Sequence, residues 1–423
     1  MNLIENWQET KDTLLEGLQG SKKSVAATLL ENQKQHLLET APAGASAAGD
    51  IGNFQKIVIP MIRRILPGTI TGDLVGVQPM TGPVGLVYSM RFAFAEAADA
   101  PTALHDIAPG DEVFGTNNKL KRFYSSANVG TSGYPPALTA ATSDGFAANT
   151  GDFEGYGGKA LRLSVLKQTI TAGSRKLQAR WTSEAAQDLN SQHGMDLESE
   201  ITGALAAEIA HEIDNEILTD LLQLAGTAIT YDFAAPPAGF APNYIGDRFA
   251  ELGVLVNKVA NEIGARTRRG PGNWLVGGHL ITSILQSASK SVFAPAVSGT
   301  FDAPTGNGLR GVLNGQMKVY SYNWGLNDNY DVTGAGTYNG MGADGEDVLI
   351  GYKGGNSELD SGYFYCPYIP LMSTGTVMDA NTFMPATSLS TRYGKCTFTN
   401  TATSFGNSAS YYARINVKNV SFS

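Results

Sequence analysis

At 423 residues the chain can bury a sizeable core and divide into two or three domains. Its low charged fraction (16%), 49 glycines and net charge of −9 suggest a loop-rich α+β protein with extensive contact surface, and exclude the basic surface that phosphate binding needs. Two cysteines, Cys366 and Cys396, make neither a disulfide framework nor a metal site, and no apolar run approaches the ~20 residues of a membrane span. With acidic residues from Glu5 onward and no signal-peptide core, a soluble, cytosolically made chain is expected.

Residues 1–39 read as mostly helical, with the doublets Leu14-Leu15, Leu29-Leu30 and Leu37-Leu38 each followed by Glu. Thr40–Asp50, TAPAGASAAGD, follows as a flexible small-residue linker. Two readings stand: a removable leader on a tether, or a docking helix with a hinge. From Ile51 the composition changes, and Ile62-Arg63-Arg64 leads to a Pro-Gly stop. Asp73–Met80 and Gly85–Phe92 read as extended segments around a Thr-Gly-Pro turn. Residues 99–158 have little periodicity and suit a functional loop or small insertion.

A basic block follows, with Lys159, Arg162, Lys167, Arg175, Lys176 and Arg180, and a strand is expected at its start. The next stretch, Trp181–Asp247, contains no Lys or Arg. Such segregation pairs either neighbouring copies or parts of one subunit. Trp181–His193 is a plausible short helix, and Met195–Leu222 a long one. Leu197, Ile201, Leu205, Ile209, Ile213, Ile217 and Leu221 hold a stride of four, which winds an apolar stripe round the rod. One flat partner cannot cover such a stripe, so the helix must cross several elements. Its polar side is acidic throughout, including Glu208, Glu212 and Glu216. Further helices are expected at Asp247–Arg266 and Leu280–Ala288. Strands are expected from Asn273 and at Gln316–Tyr322, Asp347–Tyr352, Gly362–Ile369 and Tyr411–Val417.

Catalytic patterns are incomplete. His211-Glu212 opens a zincin-like motif, but Asn215 stands where the second His belongs. Gly157-Gly158-Lys159 lacks the leading Gly and the Ser/Thr of a phosphate loop, and no nucleophile elbow is present. No catalytic residue, metal or cofactor is assigned; the distant alternative is a hydrolase using His193 or His211.

Several blocks resemble the major capsid proteins of T-even-type tailed bacteriophages. They are Ile62–Arg64 through Val75–Pro83, Ser174–Leu177, Ala185–Glu216, Val348–Leu371, Thr391–Gly394 and Tyr411–Arg414. The resemblance implies the Hong Kong 97-type α+β fold: an N-terminal arm, an extended β-loop, a peripheral domain with a long spine helix, and an axial domain. The corresponding division is a leader at 1–39, linker and arm at 40–90, and an extended loop with a short insertion at 91–173. The peripheral domain takes 174–270, the mainly axial domain 271–385, and the return to the peripheral domain 386–423. The resemblance further implies self-assembly into hexameric capsomers, with pentameric ones left open, of a virion head enclosing DNA. Scaffolding core proteins, a prohead protease, and vertex, portal and decoration proteins are the implied partners. Cleavage after a Leu/Ile-x-Glu sequence fits Leu37, Leu38 and Glu39, with Thr40 as the new terminus. Arg63, Arg64, Arg175, Lys176, Arg180, Glu208, Glu212 and Glu216 are the candidate intersubunit contacts. A paralogous vertex protein and an encapsulin-like shell remain the nearer alternatives.

Overall fold

A computed structural model describes residues 7–16, 21–40, 70–94, 161–233, 245–267, 269–287, 293–295, 308–322, 345–354, 360–373, 375–379, 384–397 and 408–419. Arg63, Arg64, the Thr40–Asp50 linker beyond Thr40, and residues 99–158 lie outside them.

In chain order the helices are α1 (Trp7–Leu15), α2 (Ser21–Thr40), α3 (Thr71–Leu74), α4 (Ser183–His193), α5 (Leu197–Leu224), α6 (Ile245–Thr267) and α7 (His279–Ser287). The strands are β1 (Gly76–Val77), β2 (Val84–Phe94), β3 (Leu161–Thr171), β4 (Gly173–Arg180), β5 (Ile229–Asp232), β6 (Trp274–Gly277) and β7 (Phe293–Pro295). They continue with β8 (Gly308–Leu313), β9 (Met317–Ser321), β10 (Glu346–Gly351), β11 (Tyr363–Ser373), β12 (Val377–Met378), β13 (Pro385–Thr397) and β14 (Tyr412–Lys418).

Three sheets result. A seven-stranded sheet runs β5-β14-β10-β6-β9-β8-β7. Its strands alternate sides as a pleat requires. Leu275, Val319, Val348, Ile350, Ile415 and Val417 pack with α6 and α7, while Trp274, Val276, Tyr320, Leu349 and Tyr412 join the core around α5. Both faces are covered, so β6 and β10 are buried at every residue. A second, five-stranded sheet centres on β13, with β11 and β4 on its two sides, and β1 extends it in parallel from β11. The third is the hairpin β2–β3, paired in register from Val84–Thr171 out to Phe94–Leu161.

The long helix lies between these layers. At 28 residues it is about 42 Å long. Asp196 caps it, its carboxylate accepting from the Glu198 N–H at 3.3 Å. The stride-of-four residues Leu205, Ile209, Ile213, Ile217 and Leu221 are all buried, whereas Leu197 and Ile201 are only half-buried. The winding stripe therefore leaves the core over the first two turns, as its drift requires. Ahead of it, α4 starts at Thr182, which caps the Ala185 N–H, and ends at Gly194 with φ +65°. That left-handed turn is where glycine costs least.

Two expectations need correction. Asp73 and Leu74 belong to the helical turn α3, not to an extended segment. The reason is a carboxylate from α5 that caps this turn, a partner invisible in local sequence. The basic block also continues past β3 into a second strand, β4, and β13, at 13 residues, is the longest among the described strands. Neither was expected, since β13 buries Thr387 and Thr391 beside Leu389 and so lacks an apolar alternation.

Helices α1 and α2 are docked on the rest of the chain. Leu29 and Leu30 are buried, and Trp7, Leu15, Ala26 and Leu30 share one core with Ile70, Leu74, Val75 and the α5 stripe. Glu31 ties the two helices together. It accepts from Trp7 Nε1 at 3.1 Å and pairs with Lys11 at 3.2 Å, and Lys34 sits over the Trp7 ring. The Trp7 hydrogen bond is the main cause holding the Glu31 carboxyl below its ordinary range. Of the two readings of this region, the docked helix describes the intact chain; docking does not exclude removal.

Candidate assembly site along the long helix

Glu212, Glu216 and Asp220 stand at i, i+4 and i+8 on α5, so they form one row on its surface. The helix supplies no cation. The row instead faces β4, β11 and β13, which cross above it. Arg175 of β4 donates to Glu212 at 2.6 Å, to Glu216 at 2.5 Å and to the Tyr393 hydroxyl at 3.1 Å. Lys395 of β13 pairs with Glu216 at 2.9 Å and Asp220 at 2.6 Å. The hydroxyl of Tyr393 donates to Glu216, and that of Tyr363 donates to Asp220 at 2.8 Å.

The electrostatics follow from this geometry. Burial pushes the Glu216 carboxyl up, but the hydrogen bonds from Tyr393, Lys395 and Arg175 outweigh it and hold the group at about 2. Burial disfavours the charge on Arg175 and Lys395, and their carboxylate partners more than compensate, so both are raised. Burial and the bond to Glu216 push the Tyr393 hydroxyl up to about 12. The arrangement bolts the helix to the sheet; it presents no open nucleophile or base.

A second clamp lies on the opposite, buried side. Asp214 is 2% exposed. Its carboxylate accepts from the Thr71 hydroxyl, from the Ile70 N–H at 3.2 Å and from the Thr71 N–H at 3.3 Å. These are orphan donors at the start of α3, so α5 caps that turn. Burial raises the Asp214 carboxyl despite those bonds.

The sequence-derived residues now sort themselves. Arg175 pairs with Glu212 and Glu216 within one chain, the second of the two pairings that the charge segregation left open. The physical reason is that β4 runs directly over the helix. Lys176, Arg180 and Glu208 are exposed and form no ion pair among the described residues, so they remain open to a neighbour. Leu37, Leu38, Glu39 and Thr40 fall in the last turn of α2, and their side chains lie outside the described set. His193 is exposed, and no group of three metal-ligating side chains occurs among the described residues. Sequence reasoning missed Lys395, Tyr363 and Asp214 as tethers, because their partners lie 143 to 175 residues away.

Comparison with known proteins is consistent across the chain. A family described as "Major capsid protein Gp23" matches residues 51–417. The major capsid protein of Vibrio phage KVP40 is 26% identical, covering 93% of this chain and 92% of that one. The major capsid protein of Enterobacteria phage T4 is also 26% identical, covering 93% and 90%. Among solved structures, the capsid of cyanophage P-SCSP1u aligns with a TM-score of 0.42 at 12% identity, over 83% of this chain and 89% of that one.

Proposed function

We propose that this chain, which belongs to the Gp23 major capsid protein family, is the main subunit of a tailed-phage head and is matured by loss of its N-terminal leader. The family is one of structural shell proteins, so the chain is a building element of the virion and not an enzyme. The α+β class expected from the sequence holds, with a hairpin, a long helix and two larger sheets.

The observation that carries the reading is the extent of the family match, which covers most of the chain and begins at residue 51, just past the small-residue linker. The family model thus begins past residues 1–50, while the matches to the KVP40 and T4 proteins, at 93% of the chain, extend into that stretch. Surface chemistry supports self-assembly. On the hairpin Val84, Leu86, Tyr88 and Val165 are all about half exposed or more. They share that side of the hairpin with the exposed Lys167, Thr169 and Thr171 of β3, and an apolar row bordered by polar groups suits a neighbouring subunit better than water. Lys176 and Arg180 on β4, against Glu208 and the acidic start of α5, give copies complementary edges and a heterologous ring contact. The hairpin begins at Val84, within the stretch expected to be linker and arm.

In this reading capsomers of the chain assemble on a scaffolding core. A prohead protease then cuts between Glu39 and Thr40, and the shell, completed by vertex, portal and decoration proteins, encloses DNA without gripping it. The test is the intact mass and N-terminal sequence of the protein from purified particles. A chain starting at Thr40 is expected. A full-length chain in closed particles overturns the maturation step and favours an encapsulin-like shell.

A further inference from the structure

The leader meets the body at one polar contact that differs in kind from the apolar packing around it. Asn32 of α2 is half-buried, and its side-chain amide donates to two backbone carbonyls, Met80 at 2.8 Å and Tyr368 at 3.2 Å. An amide nitrogen carries two protons, so this one residue uses its full donor capacity on β11 and on the segment that follows β1 at once. The carbonyls belong to adjoining segments. Gln78 and Met80 donate to Tyr365 and Pro367 of β11, both at 2.9 Å, continuing the parallel pairing of β1 toward the hairpin.

The Met80 side chain then reaches the other way. It is 6% exposed and packs with Val87 of β2, Ile170 of β3 and the β11/β13 residues Phe364, Cys366 and Cys396. A Cβ placed on Gly85 comes within 3.2 Å of its Cε. Gly394 of β13 seats the same spot, because a Cβ there runs into Ile170 and comes within 3.5 Å of the Met80 sulfur. Both strands of the hairpin therefore rest, at their root, on a methionine whose own carbonyl is held by the leader. Just beyond, the Ala172 N–H donates to Pro83 at 2.9 Å and closes the root.

We propose that Asn32 is a positioning residue that latches the leader to the root of the β2–β3 hairpin through Met80, so that the docked leader fixes how the hairpin leaves the body. The hairpin carries the exposed apolar row described above, so the latch governs the orientation of an assembly surface. Cutting the backbone after Glu39 leaves the latch in place. The leader must also leave its groove before the root is free to turn. The inference rests on the reading of this segment as a removable leader for its biological meaning, but its physical content does not.

The test uses the full-length, unassembled chain and amide hydrogen exchange read by mass spectrometry. Peptides covering Met80 and Ala172 report on the hairpin root, and peptides from α2 report on docking. Asn32→Ala keeps a good helix former and removes both donors, and exchange at the root is expected to rise about tenfold, the loss of two hydrogen bonds of ordinary strength. Asn32→Asp keeps the shape but turns an acceptor toward two carbonyls, and is expected to open the root further at neutral pH. Lys23→Ala, at an exposed position on the same helix, is expected to leave both regions unchanged. Faster exchange in α2 with an unchanged root in both Asn32 variants overturns the coupling. No change in either region overturns the latch altogether. Particle formation and N-terminal processing are read separately, so failure of the capsid reading is distinguishable from failure of the latch.

Discussion

Replacing Glu216 with Gln isolates what the helix–sheet ladder contributes. The carboxylate is held at about 2 in the folded chain against an ordinary 4.5. Each unit is worth about 1.4 kcal/mol, so linkage sets a ceiling of about 3 kcal/mol. The side chain retains 27% exposure, and screening by that water reduces the expected effect to about 2 kcal/mol. The sign is fixed by direction: a lowered carboxyl stabilises fully above its unfolded value and loses that contribution as pH falls from 4.5 toward 2. Glu216→Gln should therefore cost about 2 kcal/mol at pH 7, and wild type and variant should converge on acidification. Urea unfolding of the unassembled chain, followed by near-ultraviolet circular dichroism at both pH values, measures it. A difference below about 0.5 kcal/mol at pH 7, or one that persists near pH 2, refutes the assignment of Glu216 as the centre of the ladder.

Three further outcomes are expected. Asp214→Ala strips the cap from α3 and leaves three donors without a partner, costing about 3 kcal/mol and speeding proteolysis ahead of residue 70; an unchanged digestion pattern would show the arm to be held elsewhere. Gly351→Ala drives a methyl into the Trp274 indole across the β6–β10 pairing, and should collapse the soluble yield of the chain, measured against wild type under the same expression. Glu208→Lys changes an exposed side chain, so melting of the isolated chain should stay within about 0.5 kcal/mol of wild type while shell yield by sedimentation falls; normal shells would remove Glu208 from the contact set. Glu212 and Glu216 cannot serve that purpose, because reversing them would break bonds inside the subunit first.

The long helix was legible because a stride of four over seven positions has no other physical reading, and its bounds shift by only two residues once Asp196 acts as cap. The helices α6 and α7 and the strands β6 and β10 were legible for the same reason, being apolar at the spacing their burial demands. Strand β4, GSRKLQAR, was not, since only Leu177 and Ala179 mark its inner side. The acidic row of α5 announced that cations were needed but not where they lay. Arg175 is 37 residues away and Lys395 is 175, and nothing local selects them. Asn32 carried no signal at all, because its acceptors are backbone carbonyls, which every residue possesses.

Helix α4 has eleven residues and not one buried side chain. Isolated helices shorter than about 12–15 residues are marginal in water, so this one is held at its two ends, by the Thr182 cap and the Gly194 turn. Its inner row, Ser183, Ala186 and Leu189, is only half-covered, so the helix can tilt at less cost than the fully packed helices. In a closed shell, identical chains meet at differing curvatures, and something in each copy must absorb the mismatch. The cheapest place to bend is the segment that the fold holds least.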